Sequence, residues 1–244
     1  MTRFGTVEYE VVEHVARVTM DRPEKRNALN DELLDGLEAA FVEAERDEEV
    51  HAVVLAGNGP SFCAGYDLGG SRYATAPEGG WNLGNSVATL RTIEGLYERI
   101  WNCPKPTIAR VHGHAFAGGC YLQLLCDISV AASDARLGHP AVKMGGPSSM
   151  PLWQVALPLK VARYLLLTGR IVDGTTAASI GLVSLAVPPE ELDATVDQIA
   201  AEVAAVPPHP QQLNKETLNT ALEIMGVGAL FRYHGQMNAL RRLG

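Results

Sequence analysis

Long apolar runs are missing from this sequence. Nowhere do about 18 uninterrupted apolar residues occur, the length a membrane-crossing helix requires, so no membrane partner is expected. Met1–Val7 lacks a basic-then-apolar leader, which points to a cytoplasmic location. Cysteine is scarce. Cys63, Cys103, Cys120 and Cys126 are irregularly spaced and contain no C-x-x-C pair, so they are expected to stay thiols, and further ligands near Cys120 and Cys126 are missing for a metal. Positive charge is in deficit: 20 Lys plus Arg face 28 Asp plus Glu, a formal charge of -8. That balance argues against nucleic acid, whose binding needs surplus cations. An anionic ligand would need local basic residues working against the overall field. No G-x-G-x-x-G follows a first strand; Gly57-Asn58-Gly59-Pro60 has proline where the helix should start and no third glycine in phase. No G-x-S-x-G elbow presents Ser148 or Ser149 as a nucleophile. Internal repeats and low-complexity tracts are absent as well.

What is present is an ordinary globular composition, 47% hydrophobic and 20% charged, over 244 residues, enough for one large domain or two small ones. Val7–Val12 and Val15–Met20 read as strands joined by a tight turn at Glu13–His14, and Arg22-Pro23 breaks the second. Asn30 caps an amphipathic helix over Asp31–Arg46, with Leu33, Leu37, Phe41 and Ala44 on one face. His51–Ala56 suits a strand buried on both faces. A glycine-punctuated loop spans Gly57–Gly70. A second amphipathic helix runs over Ser86–Trp101, with Val87, Leu90, Ile93, Leu96 and Ile100 inward. Thr107–Val111 reads as a strand, Ala117–Cys126 as helix and Ile128–Ala132 as strand. This alternation predicts an α/β core with parallel strands and crossover helices. The last third reads as helices over Leu159–Leu167, Thr175–Ile180, Glu190–Ala205, Gln211–Met225 and Ala229–Leu243, interrupted by a strand-like Leu182–Val187. Prolines at 188–189 and 207–210 mark joints.

Two glycine-bearing segments each follow a predicted parallel strand: Ser61–Leu68 (SFCAGYDL) and His112–Tyr121 (HGHAFAGGCY). Ligands sit beyond the carboxyl ends of such strands. Ala64-Gly65 and Gly118-Gly119 remove bulk where a backbone must come close to something. Gly118 opens a helix, so its N–H lacks an intrahelical acceptor and lies at the positive dipole end. Two such amides aimed at one point make an oxyanion hole; the same glycines also suit simple close packing.

Val18–Leu29 (VTMDRPEKRNAL) resembles the N-terminal signature of the crotonase, or enoyl-CoA hydratase/isomerase, superfamily. Ser61–Leu68 resembles its first oxyanion loop and Lys105–Ala132 its second. Leu167–Arg170 with Ala178–Val183 resembles its later marker. These matches run in order from about residue 7 to 225. The resemblance implies a spiral core of strand–strand–helix turns over residues 1–187 and an all-helical oligomerisation region over 188–244, assembled as trimers or dimers of trimers. It implies an acyl-CoA thioester as substrate, with coenzyme A as part of that substrate and no separate cofactor. The backbone N–H groups of Tyr66 and Gly118 would hold the thioester oxygen. Arg26, Ala28, Ala64, Asp67 and Leu68 would lie along the CoA path, Asp67 mainly by fixing its own turn.

The family's hydratases use two glutamates, one three residues after the oxyanion glycine and one in a G-x-P-E loop. Tyr121 and Ala141 occupy those positions here. A phenol is a poor base at neutral pH but a competent hydrogen-bond donor. Tyr121 and His139 are therefore the candidates for proton transfer, with Lys143, His112 and His114 behind them and Tyr73 and Trp81 as acyl-pocket or lid residues. An enolate-type isomerase, lyase, decarboxylase or hydrolase fits better than hydration. An ordinary hydratase borrowing Asp67 or Glu78, and a non-catalytic acyl-CoA-binding protein, are the alternatives. Among the late cations, Arg232, Arg241 and Arg242, none sits in a pattern that assigns it to the CoA phosphates.

Overall fold

The computed structural model describes residues 1–146, 148 and 152–242, apart from the side chains of His234 and Arg241. Strands β1 (Thr2–Phe4), β2 (Val7–Val12) and β3 (Val15–Met20) form an antiparallel meander. Glu13 and His14 turn between the last two at φ of 49° and 67°, the doubly left-handed backbone a two-residue hairpin demands. The Asn30 side chain accepts from the Leu33 N–H and starts α1 (Asp31–Arg46), whose buried face includes Leu33, Leu37, Ala40 and Phe41. Strand β4 (Ala52–Gly57) follows, parallel to β3.

Helix α2 (Leu83–Asn102) begins three residues before its apolar periodicity, because Asn82 and Asn85 cap it reciprocally, side chain to backbone. Beyond it come β5 (Thr107–Val111), β6 (His114–Phe116), α3 (Gly118–Leu125), β7 (Ile128–Ala132) and β8 (Arg136–Gly138). A 3₁₀ turn at Pro140–Met144 leads on toward the short α4 (Trp153–Ala156). Then follow α5 (Leu159–Thr168), β9 (Ile171–Asp173), α6 (Gly174–Ser179), β10 (Leu185–Val187), α7 (Leu192–Ala204), α8 (Pro208–Ile224) and α9 (Val227–Arg241).

The larger sheet has the order β1-β2-β3-β4-β5-β7-β10, parallel from β3 onward. The smaller has the order β6-β8-β9. The two are joined rhythmically. After β4 the chain reaches Cys63, which bridges to Ala115 in β6; after β5 comes β6 itself; after β7 comes β8. Each turn thus lays one strand in the large sheet and one segment in the small one, which is the expected spiral. Strands β6, β8 and β9 escaped the sequence reading because three residues are too few for a period. The 207–210 prolines do more than mark a joint: Pro208 opens α8, where a missing N–H costs nothing.

The late helices serve different surfaces. Helix α7 buries Leu192, Val196 and Ala200 against β3, β4, β5 and β7. Helix α9 lies on α2, where the Ser86 hydroxyl donates to the Ala239 carbonyl at 3.4 Å. Helix α8 is pinned by Lys215, whose Nζ lies 2.7 Å from Asp127 Oδ2 and 3.3 Å from the Lys105 carbonyl. That carboxylate oxygen also accepts from the Thr107 N–H at 2.7 Å and its hydroxyl at 2.9 Å. One carboxylate thereby ties the starts of β5 and β7 to α8. Asp127→Asn should lower the unfolding free energy in urea by about 1–3 kcal/mol, since the partly buried ammonium loses its counter-charge. A change below about 0.5 kcal/mol, the size of a featureless surface substitution, would show that the tie carries no stability.

Candidate active site

The segment Ser61–Asp67 is gripped on both edges. On one, Ala64 N–H donates to the Arg26 carbonyl at 2.9 Å, Leu29 N–H to the Gly65 carbonyl at 2.8 Å, and Asp67 N–H to the Leu29 carbonyl at 3.0 Å. On the other, Phe62 N–H donates to the His112 carbonyl, Cys63 N–H to the His114 carbonyl, and Phe116 N–H to the Cys63 carbonyl. In the parallel bridge between Leu29 and Tyr66, Gly65 and Asp67 make the bonds. In that bridge the N–H of Tyr66 itself is not used, since its neighbours Gly65 and Asp67 supply both bonds to Leu29.

Phe116–Gly118 stand on the β6 side of the segment. A Cβ at Gly65, where φ is +98°, would lie 2.8 Å from the Phe116 carbonyl oxygen. A Cβ at Gly118 would lie 3.0 Å from Tyr66 Cε2, and one at Gly119 would collide with the Cys63 carbonyl. The three glycines are thus required by close approach of the two loops. Ala117 caps α3 at φ 46° and ψ -113°, a strained backbone for a residue with a Cβ. Gly118 is the first residue of α3, so its N–H has no intrahelical acceptor.

Beside these loops lies a cavity of about 500 Å³. Its lining includes Tyr66, Ala117, Tyr121 and His139, together with Leu68, Tyr73, Trp81 and Arg242. Tyr121 and His139 are buried, with Tyr121 Oη 3.1 Å from His139 Nδ1 and their rings stacked at 5.6 Å. His139 Nε2 lies 3.0 Å from the Gly146 carbonyl, which can only accept, so Nε2 carries a proton. In neutral His139, Nδ1 is then the acceptor and the phenol the donor. Ser148 Oγ is 3.2 Å from the same phenol. Tyr97 completes the group: its hydroxyl meets that of Tyr66, and its ring lies edge-on to Tyr121 at 6.2 Å. Tyr97 lies outside the aliphatic face that the periodicity of α2 predicts; a tyrosine directly after Leu96 is its only signal in the sequence.

Other expected residues fall into two groups. Tyr73 and Trp81 do line the cavity, Tyr73 stacked on Tyr66 with centroids 4.0 Å apart. Asp67 is not among the lining residues. Its carboxylate accepts from Gly69 N–H at 3.1 Å and from Arg22 at 3.1 Å, and Gly69 first, then Arg22, hold it below the usual carboxylate range. Glu78 is exposed. Arg26 adopts a left-handed backbone, and Ala28 presents its carbonyl to Arg22. His112 is held by the Gly59 carbonyl and Arg110, and His114 by Ser61, both away from the cavity lining. Lys143 is exposed on the far side, and so is Arg232. Ser149 and the side chain of Arg241 lie outside the described residues. Among the described lining residues of the cavity there is no carboxylate.

Burial, and then their mutual contact, pushes Tyr66 well above the ordinary phenol value of 10.0, and burial does the same for Tyr97. Folding therefore favours the protonated phenols: their stabilisation is complete below pH 10.0, where the unfolded chain also keeps its protons, and is lost as pH rises above it. In an alkaline titration, the phenolate absorbance of these two residues should appear only with loss of structure. Ionisation of all seven tyrosines near pH 10.0 in the native fold would contradict the assignment.

A family model described as enoyl-CoA hydratase/isomerase matches residues 10–237. A Thermus thermophilus protein, provisionally named an enoyl-CoA hydratase, is 39% identical over 228 residues, 93% of this chain and 88% of its own. The short-chain-enoyl-CoA hydratase of Clostridium acetobutylicum is 34% identical over 86% of this chain and 79% of its own. The crystal structure of an enoyl-CoA hydratase/isomerase from Xanthobacter autotrophicus Py2, 34% identical, superposes with a TM-score of 0.91 over 98% of this chain and 87% of its own. With its spiral of paired sheets and its glycine-bearing loops packed one on the other, this chain belongs to the enoyl-CoA hydratase/isomerase family, the crotonase superfamily.

Proposed function

We propose that this chain transforms an acyl-CoA thioester through an enolate-like oxyanion. The amides of Tyr66 and Gly118 are the oxyanion donors, and the Tyr121–His139 pair handles the proton. Two amides arriving from separate, mutually packed loops suit a developing charge, and loss of one oxyanion-hole donor costs roughly 2.7–4 kcal/mol of transition-state stabilisation in a serine protease. The CoA chain would run past Arg26, Ala28, Ala64, Asp67 and Leu68, leaving the cavity for the acyl group. The protein would work as a homotrimer or dimer of trimers, a reading supported by exposed Leu213, Leu218, Ile224 and Met225 at α8.

The observation that carries the reading is the 3.1 Å contact between Tyr121 and His139 in a cavity wall without a carboxylate among its described residues. With His139 neutral, the phenol donates to Nδ1. When His139 gains a proton, Nδ1–H donates to the phenol oxygen instead, and the phenol proton turns to another acceptor: Ser148, or an enolate carbon of bound substrate. This is general-acid chemistry without a glutamate, which suits isomerisation, carbon–carbon lysis or decarboxylation, where the proton goes to an enolate carbon; thioester hydrolysis, the remaining option, would need its water activated as hydration does. Water addition needs a base that orients and deprotonates water, and neither Asp67, turned to Arg22, nor exposed Glu78 is placed to serve.

Ordinary enoyl-CoA hydration is the second reading, supported by the name of the Clostridium acetobutylicum relative. Incubation with crotonyl-CoA in deuterated water separates the two. Exchange of substrate C–H for deuterium without double-bond loss is expected; fast hydration would reject the first reading in favour of the second. Binding without exchange, free CoA or turnover across an acyl-CoA panel would reject both. Tyr121→Phe should slow the exchange by about 100-fold or more, the usual size of a general-acid contribution. An unchanged rate removes Tyr121 from the mechanism.

A further inference from the structure

Three cations gather in a second, open cavity of about 490 Å³ that shares no lining residue with the first. Arg136 comes from β8, Lys143 from the turn at Pro140–Met144 and Arg170 from the corner after α5, and Tyr164, Thr168 and Ile171 complete the described lining. None of the three is in an ion pair with a described carboxylate. In this chain acids outnumber cations by 28 to 20, and Arg3, Arg17, Arg22, Arg72, Arg99 and Arg110 each meet one. Asp173, opposite Arg136 in the β8–β9 ladder, is engaged elsewhere: its carboxylate accepts from the Thr176 N–H at 2.7 Å and caps α6. Two of the cations are also held in place. Arg170 Nη1 donates to the Tyr164 hydroxyl at 2.8 Å, so the phenol keeps its own proton for another acceptor. The stem of Lys143 runs over Gly169, where a Cβ would lie 3.1 Å from Lys143 Cγ and 3.2 Å from its Cε. Gly169 ends α5 at a φ of 61°, so the corner that turns into Arg170 also seats Lys143.

We propose that Arg136, Lys143 and Arg170 form a binding site for a phosphate-bearing anion, separate from the acyl-group cavity. Like charges sharing one cavity repel one another, and an anion of higher charge relieves that cost better than a single carboxylate. A phosphate group brings nearly two charges and three acceptor oxygens, enough to meet two guanidinium forks and an ammonium together. The net charge of -8 sharpens the point, because an anion settles on such a chain only where cations are locally concentrated. Two sources share this chemistry: the phosphates of CoA and a separate phosphorylated molecule. Arg26, on the proposed CoA path, and Arg136 both add to burial in holding His114 below its ordinary value, so the positive field of the cavity is continuous with that path. Phosphate binding here does not depend on the acyl-CoA reading above.

The test is calorimetric titration with pyrophosphate at constant ionic strength. Saturable binding of one pyrophosphate per chain is expected. Arg136→Gln and Arg170→Gln should each weaken it about ten-fold or more, the effect of one charge-assisted contact. Arg163→Gln removes an exposed cation of α5 outside the cavity lining and should leave the affinity unchanged. No saturable binding by the native protein overturns the proposal with no variant needed. Unchanged affinity in Arg136→Gln and Arg170→Gln overturns it too, since pyrophosphate then sits elsewhere. So does equal weakening in Arg163→Gln, the signature of a diffuse field. Intact CoA then names the source. If CoA displaces pyrophosphate and Arg170→Gln weakens both, the site takes the phosphates of CoA; if the two bind side by side, it takes a separate phosphorylated molecule. Pyrophosphate binding without any CoA binding leaves this site standing and fails the acyl-CoA reading; CoA binding without pyrophosphate binding does the reverse.

Discussion

The double grip on Ser61–Asp67 is the constraint from which the rest of the site follows. Six backbone hydrogen bonds, the first three to the His112–Phe116 side and the last three to the Arg26–Leu29 edge, fix the register of the segment. Its placement fixes the Tyr66 peptide and brings Tyr66 over Gly118. Side chains would prevent this approach at residues 65, 118 and 119, so the glycines act through what they omit. Ala117 carries the remaining cost as a strained φ of 46° just before α3, a penalty on the order of 1–3 kcal/mol that the surrounding hydrogen bonds must hold.

Around that grip the wall is built of phenols rather than carboxylates. Tyr66, Tyr73, Tyr97, Tyr121 and His139 are linked by ring contacts and hydrogen bonds. In a poorly solvated site a neutral phenol is a strong donor and an unwilling anion, and the raised titration of Tyr66 and Tyr97 expresses that preference. A wall of this kind delivers protons and orients oxygen atoms more readily than it extracts protons from water. Among the described lining residues, desolvated phenols thus stand where no carboxylate does.

The last helix brings one residue, Arg242, to the cavity lining. Because α9 lies along α2, Arg242 just beyond its end meets Tyr73 and Trp81 in the segment that precedes α2. Residues about 170 positions apart in sequence thus meet in one aromatic contact.

Much of the framework was legible in the residues alone. Asn30 and the Leu33–Phe41 face give α1 its bounds, the apolar runs give β3, β4, β5 and β7, and ordered glycine motifs point to the two loops, because capping, period and glycine's missing Cβ are local properties. Tyr121 and His139 could be singled out by position, as could Tyr73 and Trp81, but not their contacts. The three-residue strands of the small sheet, the bond between Tyr66 and Tyr97, the turning of Asp67 toward Arg22 and the return of Arg242 to the cavity all depend on groups distant along the chain. Local sequence carries the propensity of each element and the chemistry of each side chain. Which phenol meets which histidine, and which arginine returns to the cavity, is decided by long-range packing, and only the folded chain supplies it.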